Sequence, residues 1–151
     1  DVNGVQIGKQ LGRYSDGFKY GADGSCMMVV MTDAPVDARN LERMAKRAML
    51  GLAKTGGIAS NGSGDYVIAV STTEECRIPY QSETSTDIVT LLRNEAMTPL
   101  FLATIEATEE AILNSLFAAE TMTGHDGHTI EALPKKQVLD MLRKAGKINL
   151  D

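Results

Sequence analysis

The sequence predicts an α/β fold with helices packed on a sheet, and three observations carry that prediction. Two short apolar runs, residues 26–31 (CMMVVM) and 66–71 (YVIAVS), have the length and composition of strands buried on both faces. Between them lie an amphipathic helical stretch and a glycine-rich loop. Further helical periodicity follows over 98–123 and 134–144. At 151 residues the chain fits one domain with a real core.

Each element has its own local reason. Residues 2–11 (VNGVQIGKQL) set Asn3-Gly4 between apolar positions, which predicts a turn or hairpin. Residues 13–24 read as an exposed loop, charged and glycine-rich. The run 26–31 is stopped by TDAP, and its direction relative to 66–71 is left open. Over 37–54, Leu41, Met44, Ala45, Ala48 and Leu52 share one helical face, closed by Gly56-Gly57. Arg39, Arg43, Lys46, Arg47 and Lys54 lie mostly around the other side, as a solvated face or one that docks a partner. Residues 72–94 lack clear periodicity and read partly as loop. Thr98-Pro99 supplies an N-cap and an N1 proline. Phe101, Ile105, Thr108, Ile112, Leu116 and Ala119 then recur at helical spacing, predicting one long helix to Thr123 closed by Gly124. Its carboxylates Glu106, Glu109, Glu110 and Glu120 are expected in solvent. A short helix over 134–144 has Pro134 at its start and Gly146 past its end.

Composition narrows the function. A net charge of −5 argues against a general nucleic-acid binder, which needs a basic face for phosphates. No apolar stretch approaches the roughly 18 residues of a membrane span. Cys26 and Cys76 form no recognisable framework; one disulfide is open to them, but two buried thiols in a reducing, cytoplasmic compartment is the simpler reading. The chain opens on Asp1 without Met, as a fragment or processed product would.

Gly24-Ser25 is the first candidate for chemistry. A serine hydroxyl is a weak nucleophile until a base takes its proton. Both histidines, His125 and His128, lie far along the chain in GHDGH, so a Ser–His pair would need a fold that returns them to Ser25. Cleavage of the Gly24–Ser25 bond offers another route. It frees an α-amine on the nucleophile's own residue, titrating at about 7.7–8.0. Gly24 carries no Cβ to obstruct attack on its carbonyl, while the plain alternative is an ordinary turn. Residues 56–72 (GGIASNGSGDYVIAVST) form a second candidate, matching neither the phosphate-loop nor the dinucleotide fingerprint. They are a tight turn, or a loop in which Ser63 and Asp65 both line a site. His125, Asp126 and His128 offer metal donors without a matching third-histidine spacing, and a helix cap followed by a turn is the simpler reading.

Three separated blocks, DGSCMMVVMTDAP, LAKTGGIASNGSGDYVIAVST and EATEEAILNSLFAAETMTGHDGHTIEALP, together resemble the self-processing L-aminopeptidase/D-esterase-amidases and β-peptidyl aminopeptidases. The resemblance implies a four-layer αββα sandwich akin to the N-terminal nucleophile hydrolases, of which this chain supplies part. It implies autocleavage between Gly24 and Ser25, with residues 1–24 the tail of an α part and 25–151 the β subunit. Ser25 falls on the nucleophile, and Ser63 and Asp65 on the serine and carboxylate that assist it. The implied activity is hydrolysis of the N-terminal residue of small peptides, amides or esters through an acyl-enzyme, with no metal or organic cofactor. The implied partners are an upstream α subunit, which carries further site residues, and other αβ units in a homo-oligomer. An acyltransferase on the same self-cleaving scaffold and a non-catalytic anion-binding α/β protein are the competing readings.

Overall fold

The computed structural model describes residues 1–12 and 24–149. The loop expected over 13–24 therefore lies, Gly24 excepted, outside the described residues. Strand β1 (Met27–Thr32) and strand β2 (Tyr66–Ser71) pair in parallel, in register from Met27↔Tyr66 to Thr32↔Ser71. Parallel neighbours need a crossover, and helix α2 (Ala38–Thr55) provides it. The Asp37 carboxylate caps α2 by accepting from the Asn40 N–H at 2.8 Å. At the other end Gly56, with φ 109°, donates to Ala53 O at 3.0 Å, and Gly57 donates to Leu52 O at 3.2 Å. This paired closure needs a left-handed residue at Gly56. It releases the chain into the loop that leads to β2.

One face of the sheet packs on α2 through Met28, Ala48 and Leu52, with Val30, Val67 and Ile112 around them. The opposite face differs from the sequence expectation. Met27, Val29 and Met31 are 57%, 54% and 71% exposed, and Tyr66 and Ile68 stand beside them, also exposed. A continuous apolar run signals two apolar faces. The described residues cover only one.

Helix α3 (Thr98–Ala118) lies against α2 at close range. A Cβ on Gly51 would come within 2.7 Å of both Ile105 O and Thr108 Cβ, so a residue without one is needed at the crossing. The buried Thr104 and Thr108 turn their hydroxyls back to Leu100 O and Thr104 O, each at 2.7 Å. Much of the cationic set of α2 is used within the chain. The guanidinium groups of Arg43 and Arg47 lie 4.7 and 3.8 Å from the centre of the Phe101 ring. Arg43 also donates to Asn40 and Asn94, and Lys54 pairs with Glu109. The solvated reading holds for the exposed Arg39 and Lys46, the latter bonding Glu42 along the helix surface. That hydrogen bond, and then the ammonium charge, holds the Glu42 carboxyl below its ordinary value.

The long helix expected to reach Thr123 stops at Ala118. Strand β3 (Met122–Thr123) instead pairs antiparallel with strand β4 (Thr129–Ile130). Asp126 and Gly127 turn the chain between them with φ 54° and 75°. Turn chemistry in GHDG overrides an apolar spacing that helix and hairpin both tolerate. Helix α4 (Lys135–Lys144) follows. Val138 and Leu142 on it form a core with Val5 and Ile7. The N-terminal segment is thereby anchored by a short helix, α1 (Ile7–Leu11), which the sequence did not announce. Asn3-Gly4 makes the expected turn, with φ 46° and 77°, between bridged Val2 and Val5. Residues 72–97 contain two single 3₁₀ turns, at 74–76 and 94–96. No described helix is long and apolar enough to cross a membrane.

The Gly51 crossing yields a test of sign. Gly51→Ala gains about 1 kcal/mol of helix propensity but overpacks a site where the opposing atom is backbone, a cost of about 1–3 kcal/mol. Since that carbonyl cannot swing aside, a net destabilisation of roughly 1–2 kcal/mol is expected in urea unfolding.

Candidate active site

The parallel register builds the site. Beyond their N-terminal ends, β1 and β2 continue side by side as two short loop segments, 24–26 and 63–65. The ladder runs one step back through the Tyr66 N–H to Cys26 O bond of 3.2 Å. The same spacing of 39 residues then recurs three times. Cys26 N–H donates to Asp65 Oδ1 at 2.7 Å, Gly64 N–H to Ser25 Oγ at 3.0 Å, and Ser63 Oγ meets Gly24 O at 2.5 Å. Ser63 Oγ also lies 2.6 Å from Asp65 Oδ2. Gly24 and Ser25 are exposed, so these atoms sit at the rim of the sheet, open to an approaching group.

Ser63 arrives there through a compact loop. Its N–H bonds Ser60 O at 2.8 Å, and Ala59 takes φ 46°. A hydroxyl has one proton to give. Ser63 therefore donates to the Asp65 carboxylate or to the Gly24 carbonyl, not to both at once. Asp65 braces the strand ends, Oδ1 accepting from the Cys26 N–H and Oδ2 facing Ser63 Oγ.

The sequence singled out Gly24, Ser25, Ser63 and Asp65, and the fold brings all four together. What it missed were main-chain donors: the Gly64 and Cys26 N–H. Aligning the two apolar runs by their parallel offset would have found them. His125 and His128 are elsewhere, on the β3–β4 hairpin, where His125 Nδ1 lies 3.1 Å from Asp126 Oδ2 in an exposed pair. Among the described residues no cluster of three His, Cys, Asp or Glu is placed to hold a metal ion. Cys26 and Cys76 are free thiols, half-buried rather than buried. A shallow depression of about 300 Å³ between α2 and the start of β2 has Asp65 and Tyr66 in its wall. A larger one of about 550 Å³ runs along α4 and touches none of the four residues.

The chain is 43% identical over 123 residues to the β-peptidyl aminopeptidase BapA of Sphingosinicella microcystinivorans, covering 81% of this chain and 30% of that protein. Among solved structures, it superimposes on the PH0078 protein of Pyrococcus horikoshii with a TM-score of 0.81 and 45% identity, over 95% of this chain and 38% of that one. It also matches the L-aminopeptidase D-Ala-esterase/amidase of Ochrobactrum anthropi, described as a variant of the Ntn hydrolase fold, with a TM-score of 0.70 and 29% identity, over 80% and 34% of the two chains. The fold is thus that of an Ntn-type hydrolase, represented here by part of its αββα sandwich. Residues 1–130 match Peptidase family S58, and the chain belongs to that family. It spans between 30% and 38% of the length of these relatives.

The bracing role of Asp65 can be checked directly. Removing the acceptor of one hydrogen bond is worth about 1–1.5 kcal/mol, close to a factor of ten. Asp65→Ala is expected to speed hydrogen exchange at the Cys26 amide about tenfold, leaving amides of α3 unchanged.

Proposed function

We propose that Ser25 is the nucleophile of a self-cleaving aminopeptidase or amidase, freed by cleavage of the Gly24–Ser25 bond. The observation that carries this reading is the meeting of Ser63 Oγ with Gly24 O at 2.5 Å, beside Ser25 Oγ held by Gly64 at 3.0 Å. In the first reaction Ser25 Oγ bonds to the Gly24 carbonyl carbon, and the carbonyl oxygen takes on negative charge. The Ser63 hydroxyl turns its proton from Asp65 toward that oxygen, a preorganised donor where charge develops. The Gly24 C–N bond then breaks, and the proton lost by Ser25 Oγ ends on the departing amine. Water hydrolyses the resulting ester, leaving a Gly24 carboxylate and a Ser25 with a free α-amine.

That amine is the base for later turnovers. Ser25 Oγ attacks the carbonyl of an N-terminal residue in a small peptide, amide or ester, and the acyl-enzyme is hydrolysed. Residues 1–24 belong to the tail of an α part and residues 25–151 to the β subunit. The upstream α part packs a second sheet on the exposed face of β1 and β2, and αβ units assemble into a homo-oligomer. This chemistry asks for no metal or organic cofactor. A peptidase or aminopeptidase role is favoured over an acyltransferase or a non-catalytic anion binder by the family and by the relatives' own activities.

In the full-length precursor, Ser25→Ala is expected to remain one uncut, inert chain by intact mass. A normally processed variant would overturn the assignment. Ser63→Ala is expected to slow self-cleavage about 10²–10³-fold, the range for loss of one oxyanion donor. For the mature enzyme, kcat/KM should rise about tenfold per pH unit below the amine's pKa of about 7.7–8.0 and level off above it, as the free base accumulates.

A further inference from the structure

We infer that the Gly64 main-chain N–H is a further functional group of this site, holding Ser25 Oγ as nucleophile and stabilising it as leaving group. The inference rests on Ser25 being the nucleophile. Two observations point to it. The N–H donates to Ser25 Oγ at 3.0 Å. A Cβ at position 64 would stand 3.2 Å from Ser25 Oγ and 3.8 Å from Ser25 Cβ, and among the described residues, its chain neighbours apart, would meet no other atom within 4 Å. Gly64 does not lie in the left-handed region, so its conformation does not require glycine. A Cβ would instead crowd Ser25, whose Oγ would have to give by a few tenths of an ångström. Gly24 contrasts with it, since among the described residues a Cβ there meets nothing within 4 Å beyond its chain neighbours.

The chemistry follows from where charge appears on Oγ. As the base takes the Ser25 proton, Oγ gains negative charge, and an N–H already aimed at it becomes a charge-assisted donor. When water adds to the acyl-enzyme carbonyl and the tetrahedral intermediate collapses, the C–Oγ bond breaks and its electron pair returns to Oγ. The Gly64 N–H receives that charge until the Ser25 amine, protonated by the attacking water, returns a proton to Oγ. Ser63 serves the carbonyl oxygen and Gly64 the serine oxygen. The two adjacent loop positions thus divide the two oxygens of the reacting centre.

The test replaces Gly64 by glycolic acid in the full-length protein, a backbone ester that removes the N–H and keeps the shape, beside Gly64→Ala, which keeps the N–H and fills the space. The probe is an aminoacyl ester, whose fast acylation exposes deacylation. The glycolic acid protein is expected to accumulate an acyl adduct on Ser25 by intact mass, with kcat lowered roughly ten- to a hundredfold and KM lowered with it. Gly64→Ala is expected to displace Oγ and to slow self-cleavage and kcat by at least about tenfold, with the unfolding midpoint within a few degrees of wild type. If the backbone ester prevents folding, hydrogen exchange at the Gly64 amide decides: it is expected to speed about tenfold in Ser25→Ala, which removes the acceptor, and an unchanged rate overturns the inference. A folded glycolic acid protein that clears its adduct at the wild-type rate also overturns it. An active, processed Ser25→Ala protein instead sinks the nucleophile assignment beneath it. Ser25→Ala that is inert, beside Gly64 variants that behave as wild type, removes only the role of Gly64.

Discussion

The parallel register of β1 on β2 is the constraint on which the site depends. One offset of 39 residues sets Cys26 beside Asp65, Ser25 beside Gly64 and Gly24 beside Ser63. A slip of one residue would turn every side chain of a strand to the opposite face and separate all three pairs together. The register is held by more than its ladder. Met28 and Val67 must meet Ala48 and Leu52 of the crossover helix, and that packing distinguishes the inner face from the outer. The chemistry is therefore positioned by packing beneath it.

The crossover helix is in turn fixed against α3. Gly51 lets the two backbones approach, the Phe101 ring takes the guanidinium groups of Arg43 and Arg47, and Lys54 reaches Glu109. Planar guanidinium groups suit such stacking where a compact ammonium would prefer water. At its far end the Gly56-Gly57 closure sets the direction in which the 56–65 loop departs. Helix seam, helix end, loop and strand end form one mechanical chain leading to Ser63.

Much of this was legible in the residues. The two apolar runs, the helix between them with its glycine stop, the Asn3-Gly4 turn and the last helix all follow from periodicity and turn chemistry. The four candidate site residues were reached from GS and GSGD, in part through resemblance to a family. What stayed hidden has physical reasons. Strand direction is not written in an apolar run, because parallel and antiparallel pairs use the same residues. The end of α3 was overrun because Met122 and Thr123 continue a helical spacing while pairing as a strand. Arg43 and Arg47 read as solvated because their ring partner Phe101 lies more than fifty residues away in sequence, across a helix crossing. The Gly64 and Cys26 amides carry no side-chain signature, so only the register reveals them.

The uncovered side of the sheet has an implication for the order of assembly. Met27, Val29 and Met31 face away from α2 with their neighbours on β2, yet the hydrogen bonds between 24–26 and 63–65 form without anything on that side. Geometry at the strand ends and burial of the outer rows are thus separable events. The pairing at the strand ends leans only on the crossover helix beneath it, whereas the outer rows of the sheet stay open to an apolar cover.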